Sequence, residues 1–253
     1  VTDLMLDAAW FARLARQFDE TRYRALILPE GKRVGVRLWC YDPSEALRTA
    51  LGRVGGTALF SATLAPMDFY ARQMGLDVRG TDSMLRLESP FPPENLLAVR
   101  LPVSVRFGDR ERTLDAVVQV VHAMAQAHLG NYLACFPSFA YLNQAYERYR
   151  FFFPDDAVMR QTPAMDEAAR GRFIECFDPA PVRSMVAFIV MGGVFAEGVD
   201  LPGERLSGAA IVGVGMPQLS FERDTFASLV EDGEGSGFEM AYVYPGIIRV
   251  LQA

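Results

Sequence analysis

The strongest constraint on the fold is a series of short apolar runs separated by helical patterns in the second half of the chain. NYLACF (131–136), AVMRQ (157–161), SMVAFIVM (184–191) and GAAIVGVG (208–215) read as strands. FAYLNQAYERYR (139–150) and MDEAARGRFIECF (165–177) carry helical spacing between them. Strands that are apolar along their whole length have both faces covered. Alternation with helices therefore predicts an α/β fold with a parallel sheet flanked by helices. A helix with Leu114, Val117, Val121, Met124 and Ala125 on one face precedes the first strand, with Thr113 expected as its cap and Gly130 as its stop. Ser138 is expected to cap the next helix.

The rest of the chain is less regular. Residues 1–20 have apolar positions close to helical spacing, from Leu4 to Phe18. RALIL (24–28) and VGVRLWCY (34–41) read as strands, SEALRTALGR (44–53) as a helix, and TALFSATL (57–64) as a buried strand. Residues 81–110 look like a connector. FERDTFASLVEDGEGSG (221–237) is expected to be a mobile loop, and EMAYVY (239–244) a last strand. YPGIIRVLQA (244–253) opens as a helix, with Pro245 in its first turn and an apolar stripe, but no residue closes it; further chain is expected there.

Bulk properties exclude several classes. At 253 residues and 51% hydrophobic, the chain can bury a sizeable core. It has neither an apolar run of membrane-spanning length nor a signal-like N-terminus, so a cytoplasmic location is expected. Cys40, Cys135 and Cys176 lie far apart among apolar neighbours, and each reads as a core cysteine rather than a metal ligand or disulfide partner. His122 and His128 are expected on one helix, at a spacing that does not stack them. The net charge of −6 disfavours a dedicated nucleic-acid-binding domain without excluding a local basic groove.

In open α/β sheets, ligands meet the carboxyl ends of the strands, and polar stretches fall at such ends here. GGVFAEGVDLPGERL (192–206) follows a strand. Gly193 and Gly198 give its backbone freedom, and Glu197 and Asp200 supply carboxylates that can face a phosphate backbone, a ribose or a metal-bound nucleotide. SATLAP (61–66) puts Ser61 and Thr63 at another strand end. Pro137, Ser138 and Phe139 open a helix whose amides can seat a phosphate. Taken alone, SATLAP and the Ser138 turn read first as capped turns, and a plain glycine turn is the competing reading of 192–206. Nucleophile elbows, HExxH and sensible Cys/His pairings are absent, and the two glycines of GVGMPQ lack the third that a dinucleotide fold needs.

In order, DPSEALRTALGRVGGTALFSATLAP, SPF, GNYLACFPSFAYL, GGVFAEGVDLPGERLSGAAIVGVGMP and YPGIIRVLQA resemble the C-terminal half of XPD/DinG-type superfamily 2 DNA helicases, nearest to the bacterial DinG-like members. The resemblance covers most of residues 39–253. It implies a RecA-like second motor domain over 76–253, with residues 1–75 closing the first motor domain. Ser61, Ala62 and Thr63 resemble motif III, which couples nucleotide state to DNA contact. Pro137, Ser138 and Phe139 resemble motif IV, near the bound strand. Gly193, Glu197, Gly198 and Asp200 resemble motif V, facing both nucleotide and DNA. Arg249 and Gln252 resemble the start of motif VI, which in the family runs on into a glycine and arginines, one of them an arginine finger.

Such an enzyme uses ATP and Mg²⁺, moves on single-stranded DNA with 5′→3′ polarity, and serves DNA repair or replication. Its partners would be single-stranded DNA and a first motor domain, with no membrane. ATP hydrolysis needs GxxxxGK[ST], yet the only lysine, Lys32, lies in PEGKRVG; the four-cysteine cluster of many relatives has no counterpart in this chain either. The chain alone is therefore expected to lack ATPase activity. A different reading is a degenerate RecA-like domain that serves as a nucleic-acid or protein scaffold. The acidic balance and missing motifs favour that reading, and the retained Glu197, Asp200 and Gln252 oppose it.

Overall fold

In a computed structural model, residues 2–31, 33–196, 199–230 and 237–253 are described. They form two compact units, 1–90 and 91–253.

The first unit holds α1 (Thr2–Ala15), the antiparallel hairpin β1 (Tyr23–Glu30) and β2 (Arg33–Cys40), α2 (Ser44–Leu51) and α3 (Met67–Gln73). Residues 57–64, expected as a buried strand, form no strand; Phe60 is 91% exposed. Their β-propensity is real, but a strand exists only where a neighbour takes its hydrogen bonds, and no described strand pairs with this run.

The second unit comprises α4 (Arg110–Ala127), β3 (Asn131–Phe136), α5 (Phe139–Phe152), β4 (Ala157–Arg160), α6 (Glu167–Glu175), β5 (Met185–Val190), β6 (Gly208–Ile211), α7 (Phe221–Val230) and α8 (Tyr244–Gln252). Its strands form one parallel sheet in the order β4-β5-β3-β6. The two-residue period of each strand divides the core. Tyr132, Ala134, Phe136, Val186 and Phe188 face one side, where they pack with Val117, Val118 and Val121 of α4 and Tyr141, Leu142 and Tyr149 of α5. Leu133, Cys135, Ala187 and Ile189 face the other, against Phe173 of α6, Phe177 and Phe195. This is the helix-covered α/β sheet that the apolar runs predict.

Several local expectations are corrected. The helix before β3 starts at Arg110 rather than at Thr113. Thr113 lies in its first turn, where its hydroxyl donates to the carbonyls of Ser104 (2.7 Å) and Asp109 (3.0 Å). Residues 221–230 of the expected loop are helix α7. The EMAYVY run is a π-helical turn, Glu239–Val243, leading directly into α8. Its consecutive Met240, Ala241 and Tyr242 are all buried, which a half-exposed strand would not allow. β6 stops at Ile211, although the Val212 amide still donates to Cys135 O (2.9 Å). His128 lies just past the end of α4, in extended backbone. Of the three cysteines only Cys135 is buried. Cys40 is half-buried, and Cys176 is exposed at the end of α6 with its thiol directed to Arg172 O.

Candidate functional site

The carboxyl edge of the parallel sheet gathers three of the motif-bearing stretches. β3 ends at Phe136, and the Met191 amide donates to Phe136 O (2.9 Å), so the exits of β3 and β5 stay side by side. Beyond β3, Ser138 is extended and its Oγ accepts from the Tyr141 amide (3.3 Å), capping α5 as the sequence predicts. The cap is reinforced by Leu142 N donating to Ser138 O (3.0 Å). Pro137, Ser138 and Phe139 are half-buried, and the opening amides of a helix of 14 residues follow them.

Beyond β5, Gly192 has φ of +71°, a backbone that L side chains rarely adopt. A side chain there would also meet Arg249, whose Nε lies 2.9 Å from the position a Cβ would take. The Ala196 amide then donates to Gly193 O (2.9 Å), closing a turn. Phe195 and Ala196 are buried as an apolar plug, with the Phe195 ring 4.3 Å from that of Phe173. Glu197 and Gly198 lie outside the described residues. Val199 and Leu201 pack on the same core, leaving Asp200 exposed between them.

α8 completes the edge. Its Gly246 is buried so closely that a Cβ would sit 3.0 Å from Val214 and 3.2 Å from the Met216 backbone. Arg249, one turn later, donates from a guanidinium nitrogen to Gly215 O (2.9 Å) while passing beside Gly192. It thereby ties α8 to the segments following β5 and β6. Val250 and Ala253 reach the core that holds Val199 and Leu201, and Gln252 is exposed. The glycines of GVGMPQ thus serve backbone shape and close packing: Gly213 has φ of +83° with its Cβ position 2.7 Å from Val105, and the Cβ position of Gly215 lies 3.5 Å from the Arg249 Cδ.

Ser61, Ala62 and Thr63 belong to the first unit. There Ser61 Oγ accepts from the Thr63 amide (3.2 Å) in an exposed turn, with the two hydroxyls 3.4 Å apart. Beneath the second unit's edge, burial pushes the Cys135 thiol up to about 12, which keeps it protonated and inert. Arg160, at the end of β4, is engaged by Glu147 (2.7 Å) and lies over the Tyr146 ring. Among the described residues no group of three or more His, Cys, Asp or Glu is arranged to hold a metal ion. Among them, too, no helix is long and apolar enough to cross a membrane.

One residue of this edge carries no signal in the sequence. Gln161 is only 7% exposed, and its Oε1 accepts from the Val190 amide (2.9 Å).

A parallel sheet flanked by helices, with a capped helix, a glycine loop and an arginine-bearing helix at its carboxyl edge, has the RecA-like α/β architecture. Residues 121–253 match the helicase C-terminal domain family, and the chain belongs to it. Its fold is the one seen in solved XPD chains. The chain is 28% identical over 166 residues to a probable ATP-dependent helicase of Methanocaldococcus jannaschii, covering 62% of this chain and 24% of the relative. Its fold is similar to a solved XPD chain in the apo form, with a TM-score of 0.62, 17% identity and coverage of 90% of this chain and 46% of the other. It is also similar to a solved XPD helicase chain, with a TM-score of 0.54, 16% identity and coverage of 90% and 40%. The chain therefore spans less than half the length of these relatives.

Proposed function

We propose that the chain is the C-terminal portion of an ATP-dependent DNA helicase that couples ATP hydrolysis to translocation on single-stranded DNA and to duplex unwinding, in repair or replication. The observation that carries this reading is the convergence of the capped Ser138 turn, the Gly192–Gly193 exit and Arg249 on one sheet edge. The parallel sheet brings the turns after β3 and β5 to one edge, and Arg249 joins α8 to the turn after β5 and the segment after β6, so that the polar groups of three motif stretches lie on one face.

In this reading Asp200 and Gln252 face a cleft completed by a first motor domain, where ATP and Mg²⁺ bind. The α5 amides behind Ser138 take a phosphate of the DNA strand. Ser61, Ala62 and Thr63 relay nucleotide state from the first motor domain, and Glu197 and Gly198 act with Asp200. The bound nucleotide supplies the free energy of stepping, and this chain's residues position it and the strand.

The test is DNA-stimulated ATP turnover and strand displacement by the full-length protein, with Asp200→Ala expected to abolish both. Full activity in that variant would overturn the assignment. The 253-residue chain alone, having no GxxxxGK[ST], is expected to show no steady ATP turnover. Its affinity for single-stranded DNA is expected to be micromolar or weaker and to fall with salt, because few phosphates are contacted. Salt-independent binding would count against the strand-contact role.

A further inference from the structure

Gln161 interrupts the parallel ladder in an unusual way. β4 pairs with β5 through Arg160↔Phe188, and the Gln161 amide continues the ladder by donating to Phe188 O (2.8 Å). In a parallel pair the next hydrogen bond runs from the Val190 amide to the backbone carbonyl of Gln161. The side-chain carbonyl of Gln161 takes that place instead, at 2.9 Å. The main chain is thereby released to turn toward α6 while the last amide of β5 remains satisfied in a half-buried position by a buried side chain, so that the strand's final amide is not left without a partner.

The same carboxamide backs the glycine loop. A Cβ on Gly193 would come within 3.4 Å of Gln161 Nε2 and 3.1 Å of Val190 O. Gln161 therefore holds the last amide of β5 with one atom and limits the path of Gly193 with another.

We propose that Gln161 is a positioning residue that sets the exit direction of the Gly192–Ala196 turn at the carboxyl end of β5. This rests on the helicase reading only for its consequence in turnover, not for its structural step. Two readouts separate them. The first is amide hydrogen exchange in this chain. Gln161→Leu, which removes the acceptor, is expected to lower protection of Val190 and of the 191–196 amides about tenfold, with β3 amides unchanged. Gln161→Glu keeps an acceptor oxygen and is expected to restore protection.

The second is DNA-stimulated turnover by the full-length protein. Gln161→Leu is expected to lower kcat about tenfold, with KM for ATP within twofold, and Gln161→Glu to recover most of it. Gly193→Ala crowds the same contact with Gln161 left in place, and is expected to reproduce the kcat loss with a melting transition that remains cooperative; it decides the matter if Gln161→Leu does not fold. Unchanged exchange at Val190–Ala196 in Gln161→Leu would overturn the proposal, as would Gln161→Glu behaving like Gln161→Leu. If the wild-type protein shows no DNA-stimulated turnover, the helicase reading falls, and the exchange readout still decides the role of Gln161.

Discussion

The second unit buries aromatic side chains on both faces of its sheet, whereas the first buries only Leu26 and Ala71 among its described apolar side chains. Ile27, Val34 and Val36 on the hairpin, Trp10 on α1 and Phe60 after α2 are all more than half exposed. The contrast does not come from composition, since both units are rich in apolar residues. It comes from whether a sheet exists to bury them against. In the second unit each strand contributes side chains to both layers, and helices close both. In the first, a lone two-stranded hairpin offers one small face, and such hairpins are marginal without more strands or a well-packed helix.

The largest expected consequence is an all-or-none difference between the units. Residues 91–253 expressed alone are expected to unfold cooperatively in urea, and residues 1–90 alone to show no cooperative transition. Coincident sharp transitions in both pieces would break the comparison. At the level of single side chains, Phe188 packs against Phe136, Tyr146 and Tyr149 and is fully buried. Phe188→Ala is expected to cost about 3–5 kcal/mol. Phe60→Ala, at an exposed site of equal chemistry, is expected to change stability by less than about 0.5 kcal/mol. Urea midpoints at constant slope measure both.

The thiols sharpen the same contrast. Burial pushes Cys135 from an ordinary 9.0 up to about 12. The unfolded chain releases this proton first, so the folded state is fully favoured below about pH 9 and loses stability as pH rises from there toward 12. The loss is about 1.4 kcal/mol per pH unit at most. Cys135→Ala is expected to flatten that alkaline slope. Labelling of native protein by a thiol reagent is expected in the order Cys176, Cys40, Cys135, following their exposure. Early modification of Cys135 would show that the second core opens more readily than its packing implies.

What the sequence made legible follows the same division. NYLACF was readable to the residue, because a strand covered on both faces is apolar throughout and its neighbours lie within the same unit. Ser138 was readable because a cap is a local hydrogen bond. TALFSATL misled because pairing is not local. α7 was missed although Phe226, Leu229 and Val230 carry helical spacing, because the charged and Gly-rich run that follows it reads as loop and none of its residues is fully buried. It is held instead by Arg223 donating to Ala241 O (2.8 Å) and by Tyr242 donating to Asp224 (2.6 Å). At the candidate site the sequence supplied the motif residues but not the tie through Arg249, which depends on glycines from two other segments, nor Gln161, whose side chain matters only because the strand beside it ends one residue early.

The smallest expected effect separates stability from binding at the same position. In the first unit α3 follows Pro66 with no side-chain cap, and α2 follows Pro43 with its Ser44 amide donating to Asp42 Oδ1 (3.0 Å), while α5 depends on Ser138. Ser138→Ala removes the acceptor from the Tyr141 amide and is expected to cost about 1 kcal/mol in a urea melt. Ser138→Asp keeps an oxygen there and suits the positive end of the helix dipole, so stability is expected to stay within about 0.5 kcal/mol of wild type. The added charge, however, competes for the amides that the proposed strand contact uses. Fluorescence anisotropy with a labelled single-stranded oligonucleotide at low salt is expected to show weaker binding for Ser138→Asp than for Ser138→Ala, the reverse of their order in stability. If binding instead follows stability in both variants, Ser138 is only the cap of α5, and the strand contact has to be sought elsewhere along the sheet edge.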